Sequence, residues 1–149
     1  MTIRTKRLIL RAALERDLDD LHAVYAHPQT MKYWSTAPHT SLDQTKTQLD
    51  GMIASAARDL TYFVIEMDSR AVGAAGMHKA GEVGFLLHAY FWRQGIITEA
   101  MQAIIPYLFE KTGLASLTAD ADPNNEASVG LLKSLGFEET HRAQNTFCI

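Results

Sequence analysis

Apolar positions change period twice along the chain, and each change marks a different kind of element. Arg7-Leu8-Ile9-Leu10-Arg11 alternates, with Leu8 and Leu10 on one face, and predicts a first strand. Leu18, Leu21, Val24 and Tyr25 then recur at helical spacing after Asp17, a residue type that caps helices, and Pro28 lies just beyond. Ser41-Leu42-Asp43-Gln44 has the form of a capping box. It opens a second amphipathic helix through Leu42, Leu49, Met52, Ile53 and Ala56, and residues 31–40 form an aromatic, Pro- and His-containing loop between the two.

From residue 61 the helical period gives way to strand-type runs. Residues 61–66 and 71–77 are joined by a turn at Met67-Asp68-Ser69-Arg70, the second run being weakened by Gly73 and Gly76. Ala80-Gly81 turns the chain into Glu82–Leu87, and the short connections predict an antiparallel meander. Helical spacing returns with Ala100, Ala103, Ile104, Tyr107 and Leu108. Pro106 is expected to kink this helix or shift its last turn, and Gly113 to stop it. Residues 114–121 read as a strand that must run parallel to Glu82–Leu87, because a helix carries the chain back. Asp122-Pro123-Asn124-Asn125 caps a short helix with Val129, Leu131, Leu132 and Leu135 inward, closed by Gly136. Too few residues follow Phe137 for more than one strand and a fragment. The expected architecture is α/β, a single domain over residues 1–149 with a mixed, mostly antiparallel central sheet flanked by helices.

Composition narrows the function classes more than the fold. The 149 residues suit one core, and a formal charge of −3 gives no basic field for nucleic acid or an anionic membrane. No apolar run approaches the roughly 20 residues of a membrane span, and the N-terminus lacks the apolar stretch of a secretory signal. Cys148 is the only cysteine, which argues against a disulfide framework and points to a reducing cytoplasm. Neither a Gly-x-Gly-x-x-Gly fingerprint, a P-loop, a Gly-x-Ser-x-Gly elbow nor a His-Glu-x-x-His pair occurs. Metal chemistry is not expected.

One junction carries candidate chemistry. Between the strand Glu82–Leu87 and the following helix runs Tyr90-Phe91-Trp92-Arg93-Gln94-Gly95-Ile96-Ile97-Thr98-Glu99-Ala100. A strand, a glycine loop and a helix start leave several backbone N–H groups pointing one way, with the positive end of the helix dipole behind them. Such a place holds an anion, and a pyrophosphate suits it.

Together with two other stretches this junction resembles the GNAT N-acetyltransferase superfamily. Trp92 to Ala100 is similar to its acyl-CoA-binding motif. Asp122-Pro123-Asn124-Asn125-Glu126-Ala127-Ser128, with Leu131-Leu132 and Leu135-Gly136-Phe137, resembles its second signature. Thr5-Lys6-Arg7-Leu8-Ile9-Leu10-Arg11 with Asp17-Leu18 resembles the opening of the branch that acetylates ribosomal-protein N-termini. The likeness implies acetyl-CoA as cosubstrate, with its phosphates on Arg93, Gln94, Gly95, Ile96, Ile97 and Thr98. Its pantetheine arm would lie along Phe85, Leu86 and Leu87, where the strand splays from its parallel neighbour, with Asn125 and Ser128 alongside. Glu82 is the candidate base, directly or through water, and Ser128 the candidate proton donor to the leaving thiolate. Tyr33, Trp34, His39 and Tyr62 are the candidate acceptor-binding residues. His78 and His88 flank strands and read as structural or solvated.

Direct transfer in a ternary complex is implied, because Cys148 offers no activated nucleophile. The acceptor is a primary amine, either a protein N-terminus or a small molecule. The alternative is a CoA-binding or interaction module without catalysis. Two departures bear on this. Ile97 stands where the motif usually has a small residue, and either narrows the phosphate cradle or points into the core. The C-terminus is shorter than the family's closing hairpin, which predicts that a partner subunit in a homodimer completes the sheet or that the acceptor groove is open.

Overall fold

The computed structural model describes residues 2–34, 36–122, 124–141 and 146–148, with the backbone alone at 140, 141 and 146–148. Among the described residues eight strands form one sheet: β1 Thr2–Arg4, β2 Ile9–Arg11, β3 Tyr62–Met67, β4 Arg70–Lys79, β5 Glu82–Leu87, β6 Thr118–Asp120, β7 Glu138–His141 and β8 Thr146–Cys148. Their order is β1-β2-β3-β4-β5-β6-β8-β7, antiparallel except where β5 meets β6. The helices are α1 Leu18–Tyr25, α2 Leu42–Arg58, α3 Ile96–Thr112 and α4 Glu126–Ser134.

Two apolar clusters lie on opposite faces of the sheet. Leu8, Leu10, Phe63, Ile65 and Val83 pack with Ile96, Ile97, Ala100, Met101, Ile104 and Leu108 of α3. Val64, Ala71 and Leu86 pack with Leu21, Val24 and Tyr25 of α1 and Leu49 of α2. Each large side chain removed from water contributes about 1.5–3 kcal/mol, so α3 is held chiefly by its own buried stripe.

The meander closes tightly. Asp68 and Ser69 both take left-handed backbone (φ 51° and 64°), the geometry of a two-residue hairpin turn between β3 and β4. Gly73 and Gly76, the glycines expected to weaken β4, stand where other backbone comes close. A Cβ at Gly73 would lie 2.1 Å from the Leu86 carbonyl oxygen, and one at Gly76 2.3 Å from that of Thr61. Neighbouring backbones approach too closely for any side chain, and glycine is what permits it.

The second helix begins as its pattern predicts. The Ser41 hydroxyl accepts the Gln44 N–H, while the Gln44 side chain takes the Ser41 N–H. Helix α3 runs unbroken through Pro106 to Gly113 at φ 68°. Pro106 and the Gln102 it deprives of a hydrogen bond are both exposed, so water can satisfy the freed carbonyl.

Four expectations change. β1, polar and short, was not anticipated; it pairs in register with β2 from Thr2↔Arg11 to Arg4↔Ile9. Asp17 precedes α1 but its side chain caps no helical N–H. Instead it is buried and takes two hydrogen bonds from Arg11, at 2.9 and 2.8 Å, and one from the Leu14 N–H at 2.8 Å. The 114–121 strand shrinks to Thr118–Asp120. The chain's own β7–β8 hairpin supplies the end of the sheet, with β8 inserted beside β6, so no partner is needed to complete it. Pro123 of the predicted cap lies outside the described residues.

Candidate active site

The parallel contact between β5 and β6 is brief. Glu82 pairs with Thr118 and Val83 with Ala119, and there the ladder ends. From Gly84 to Leu87 that edge of β5 has no strand beside it. Strand residues alternate the direction of their backbone groups. The His88 N–H donates to Val72 on the β4 side, and Gly81 accepts from Thr118 on the β6 side. Leu86 therefore directs its N–H into the β4 ladder, while Phe85 and Leu87 face the open edge. The Leu87 carbonyl is taken by the Trp92 indole N–H at 2.7 Å. The N–H groups of Phe85 and Leu87 are what this edge offers a ligand.

The indole bond also fixes the loop that leads to α3. Arg93 (φ 63°) and Gly95 (φ 73°) are both left-handed, and together they reverse the chain into the helix. Gly95 N-caps α3 with no side-chain cap, and the first helical bond runs from the Glu99 N–H to the Gly95 carbonyl. The N–H groups of Ile96, Ile97 and Thr98 therefore have no partner within the helix, and the positive helix end lies behind them. Ile97 packs in the core and does not fill this concavity.

A residue that sequence reasoning did not assign to the site completes the loop from outside. The Arg7 guanidinium donates to the Gln94 carbonyl at 2.7 Å and to Glu99 at 2.7 Å, and the Arg7 N–H donates to Glu99 at 2.8 Å. The Thr5 hydroxyl also donates to Glu99. Burial alone would raise the Glu99 carboxyl, but the bonds from Thr5 and Arg7 outweigh it and hold the group below its ordinary value. Arg7 Nη2 comes within 3.6 Å of where a Gly95 Cβ would stand, which places positive charge at the cradle.

Across the open edge, α4 begins at Asn125. Its side-chain oxygen accepts the Ser128 N–H at 3.2 Å, and its amide nitrogen donates to the Ser128 hydroxyl oxygen at 2.9 Å. That leaves the Ser128 O–H free to donate. At the other end, Glu82 opens β5 with one oxygen 3.0 Å from Lys79 Nζ and the other 3.6 Å from His78 Nε2.

A cavity of about 1400 Å³ runs along the open edge of β5 to the start of α3. It is larger than the roughly 300–1,000 Å³ of ordinary small-ligand pockets. Glu82, Phe85, Leu86, Leu87, Arg93, Gly95, Ile96, Ile97, Thr98, Asn125 and Ser128 line it, and Gln94 does not. Tyr33, Trp34, His39 and Tyr62 line the same cavity on the α1–α2 side. His39 stacks on Tyr25 (centroids 5.0 Å apart, 15° between planes), and its Nδ1 lies 2.8 Å from the buried Thr45 hydroxyl. Burial, then the nearby His22, lower the His39 imidazole below its ordinary value. Tyr25 was read only as part of the α1 stripe, yet it too faces the cavity. Burial pushes its hydroxyl up to about 12, keeping it a neutral phenol. Among the described residues no cluster of His, Cys, Asp or Glu is built to hold a metal, and no helix is long and apolar enough to cross a membrane.

Comparison with known proteins agrees with this geometry. The sequence model of the acetyltransferase (GNAT) domain matches residues 7–138. An uncharacterized N-acetyltransferase p20 of Bacillus licheniformis is 29% identical over 93% of this chain and 83% of its own. The spermidine N(1)-acetyltransferase of Escherichia coli K12 is 23% identical over 94% of this chain and 77% of its own. A solved ribosomal L7/L12 alpha-N-protein acetyltransferase in complex with coenzyme A has the same fold. Its TM-score is 0.82 at 18% identity, covering 100% of this chain and 97% of that one. The chain, with its splayed strand, its left-handed glycine loop and its matched domain, belongs to the GNAT family of acetyltransferases.

Proposed function

We propose that this N-acetyltransferase moves the acetyl group of acetyl-CoA directly to a primary amine, with both substrates bound together. The observation that carries the reading is the open edge of β5 running from Gly84 to the cradle of Gly95. The pantetheine arm adds to that edge through the N–H groups of Phe85 and Leu87. The pyrophosphate sits on the N–H groups of Ile96, Ile97 and Thr98, with Arg93 beside it, the usual logic of anions at helix starts. Bound acetyl-CoA supplies the activated acyl carbon and a thiolate leaving group.

The chain's own groups do the rest. An N–H of β5 directed at the acyl oxygen stabilises the charge that develops there, an effect worth roughly 10²–10³ in rate. The Ser128 hydroxyl, already accepting from Asn125, is poised to give its proton to the departing sulfur. Glu82 lies at the head of β5 on the acceptor side, where the amine must lose a proton. Tyr33, Trp34, His39 and Tyr62 form a largely uncharged wall for the acceptor, a protein N-terminus or a small amine.

Thermal unfolding tests the reading, with acetyl-CoA and, in parallel, a pantetheine analogue lacking the pyrophosphate. Acetyl-CoA at about 100 times its Kd should stabilise the fold by roughly 2.7 kcal/mol. The analogue should do much less. No shift at millimolar acetyl-CoA, together with no turnover of any amine, would refute it and leave a scaffold without catalysis.

A further inference from the structure

We propose that His78 is the immediate acceptor of the amine's proton, with Glu82 stabilising the imidazolium that results; this rests on the acetyltransferase reading above. Opposite β5, Met77 pairs with Val83 and Lys79 with Glu82, so His78 is an extra residue bulged out of β4. Bulges redirect a side chain and recur beside active sites. Here the bulge turns the imidazole onto Gly84. A Cβ at Gly84 would stand 3.2 Å from His78 Cδ2 and 3.4 Å from Nε2. Gly84 is also the first residue of β5 beyond its pairing with β6, so the ring edge lies where the open edge begins.

The neighbours add a charge pair. His78 Nε2 is 3.6 Å from one Glu82 oxygen, while Lys79 Nζ anchors the other at 3.0 Å. The Tyr62 ring meets the imidazole edge-on, centroids 6.5 Å apart at 82°. All of His78, Glu82, Tyr62 and Gly84 line the one cavity, and the His78 side chain is 43% exposed. A solvated strand-end histidine needs neither a bulge to aim it nor a glycine beneath it.

The step balances as follows. An N–H bond of the ammonium breaks, and its proton passes to His78 Nε2. The freed lone pair forms the N–C bond to the acyl carbon, and the C–S bond breaks with its electron pair on sulfur. The thiolate takes a proton from water, or from Ser128, which regains one from solvent; His78 passes its first proton to solvent and then relays the second proton lost from nitrogen. Each turnover releases one net proton. The Glu82 carboxylate lies 3.6 Å from the same nitrogen, so the proton arrives beside a negative charge, an arrangement that suits imidazole to this exchange.

The test compares wild type with His78→Gln, His78→Ala, Glu82→Gln and Gly84→Ala. The probes are acetyl-CoA with spermidine, tyramine or a short peptide bearing a free N-terminal serine. His78→Gln should lose about 10²–10⁴ in kcat, the worth of a general base. Its KM for acetyl-CoA and its melting temperature should stay unchanged. His78→Ala should regain rate with added imidazole. Gly84→Ala, which displaces the ring, should lower kcat more than KM, and Glu82→Gln should do the same.

Diethyl pyrocarbonate supplies a readout independent of turnover: it should label His78, and coenzyme A with amine should shield it. Wild-type turnover with kcat retained in His78→Gln overturns this pair alone. So does labelling of His78 that ligands leave untouched. A wild type that neither binds acetyl-CoA nor acetylates any probe removes the acetyltransferase reading, and the pair with it.

Discussion

Removing the Asp17 carboxylate should destabilise the protein more than almost any other single polar change. Asp17 is 2% exposed and Arg11 9%, and the carboxylate meets the guanidinium through two parallel bonds. Glu66 takes the Arg11 Nε–H at 2.8 Å, and Ala12 accepts a fourth bond at 3.0 Å. The Asp17 bond raises the Arg11 guanidinium above its ordinary value, with Glu66 adding to it. Asp17→Ala leaves a buried cation half-satisfied and strips the Leu14 N–H of its acceptor. Breaking a buried pair in this way costs about 3–5 kcal/mol, against about 0–1 for a surface pair. For a chain of this size that lowers Tm by roughly 6–20 °C. Differential scanning calorimetry on Asp17→Ala and on the double variant Arg11→Met/Asp17→Ala measures it. The double variant should recover part of the loss, because no uncompensated charge stays buried. A single-variant shift under about 2 °C would show that the network behaves like a surface pair. With Arg11→Met measured alongside, a double variant worse by the full sum of the two singles would show that Arg11 and Asp17 do not act together.

Glu99→Ala removes three hydrogen bonds, but the Arg7 side chain is 39% exposed and water takes over much of its solvation. The stability cost should be about 1–2 kcal/mol, with weaker acetyl-CoA binding in calorimetry as Arg7 leaves the Gln94 carbonyl; unchanged affinity would separate this clamp from the cradle. His39 is held below its ordinary value of 6.5, by burial and then His22, so the folded chain resists protonation that the unfolded chain accepts. Its contribution is therefore complete above that value and is lost as pH falls through the folded value. Urea unfolding down that range should show a decline that shrinks in His39→Gln, and an equal decline in both would refute the assignment. Arg93 sits at φ 63°, so Arg93→Gly relieves about 1–2 kcal/mol of left-handed strain while adding about 0.4–1 kcal/mol of unfolded-state freedom. Stability should hardly move, whereas acetyl-CoA affinity and its salt dependence should drop; a variant that binds as wild type does would take Arg93 out of the phosphate site.

How much of this was legible in the sequence depended on whether a feature is written in local pattern. The Ser41 capping box, the Glu82–Leu87 strand and the Gly95 junction each rest on residues within one turn of one another, and they stand where the pattern put them. Asp17 looked like a cap because capping is the local use of such a residue, while its partner Arg11 sits in a strand, outside the helical spacing that the pattern reads. Gly73 and Gly76 looked like weaknesses because the backbones they admit, at Leu86 and Thr61, come from neighbouring strands. The bulge at His78 depends on the register between β4 and β5, which hydrophobic alternation alone does not specify. The C-terminal hairpin was missed for a related reason: its strands are short, and what keeps them is pairing with β6.

The clamp at the phosphate loop also bears on how the chain is made. Thr5 and Glu99 are 94 positions apart, so β1 and β2 leave the ribosome before the helix that anchors them exists. Once Ile9 has paired with Glu66, the loop still to be closed to Glu99 is much shorter, which lowers its closure cost by about 0.8 kcal/mol. The nascent N-terminal segment thus waits on the meander and then locks. The proposed phosphate cradle is a seam between segments far apart in the sequence. A nucleotide seated there staples the two together, and amide exchange in Thr2–Arg4 and the turn after it should slow when the cradle is filled.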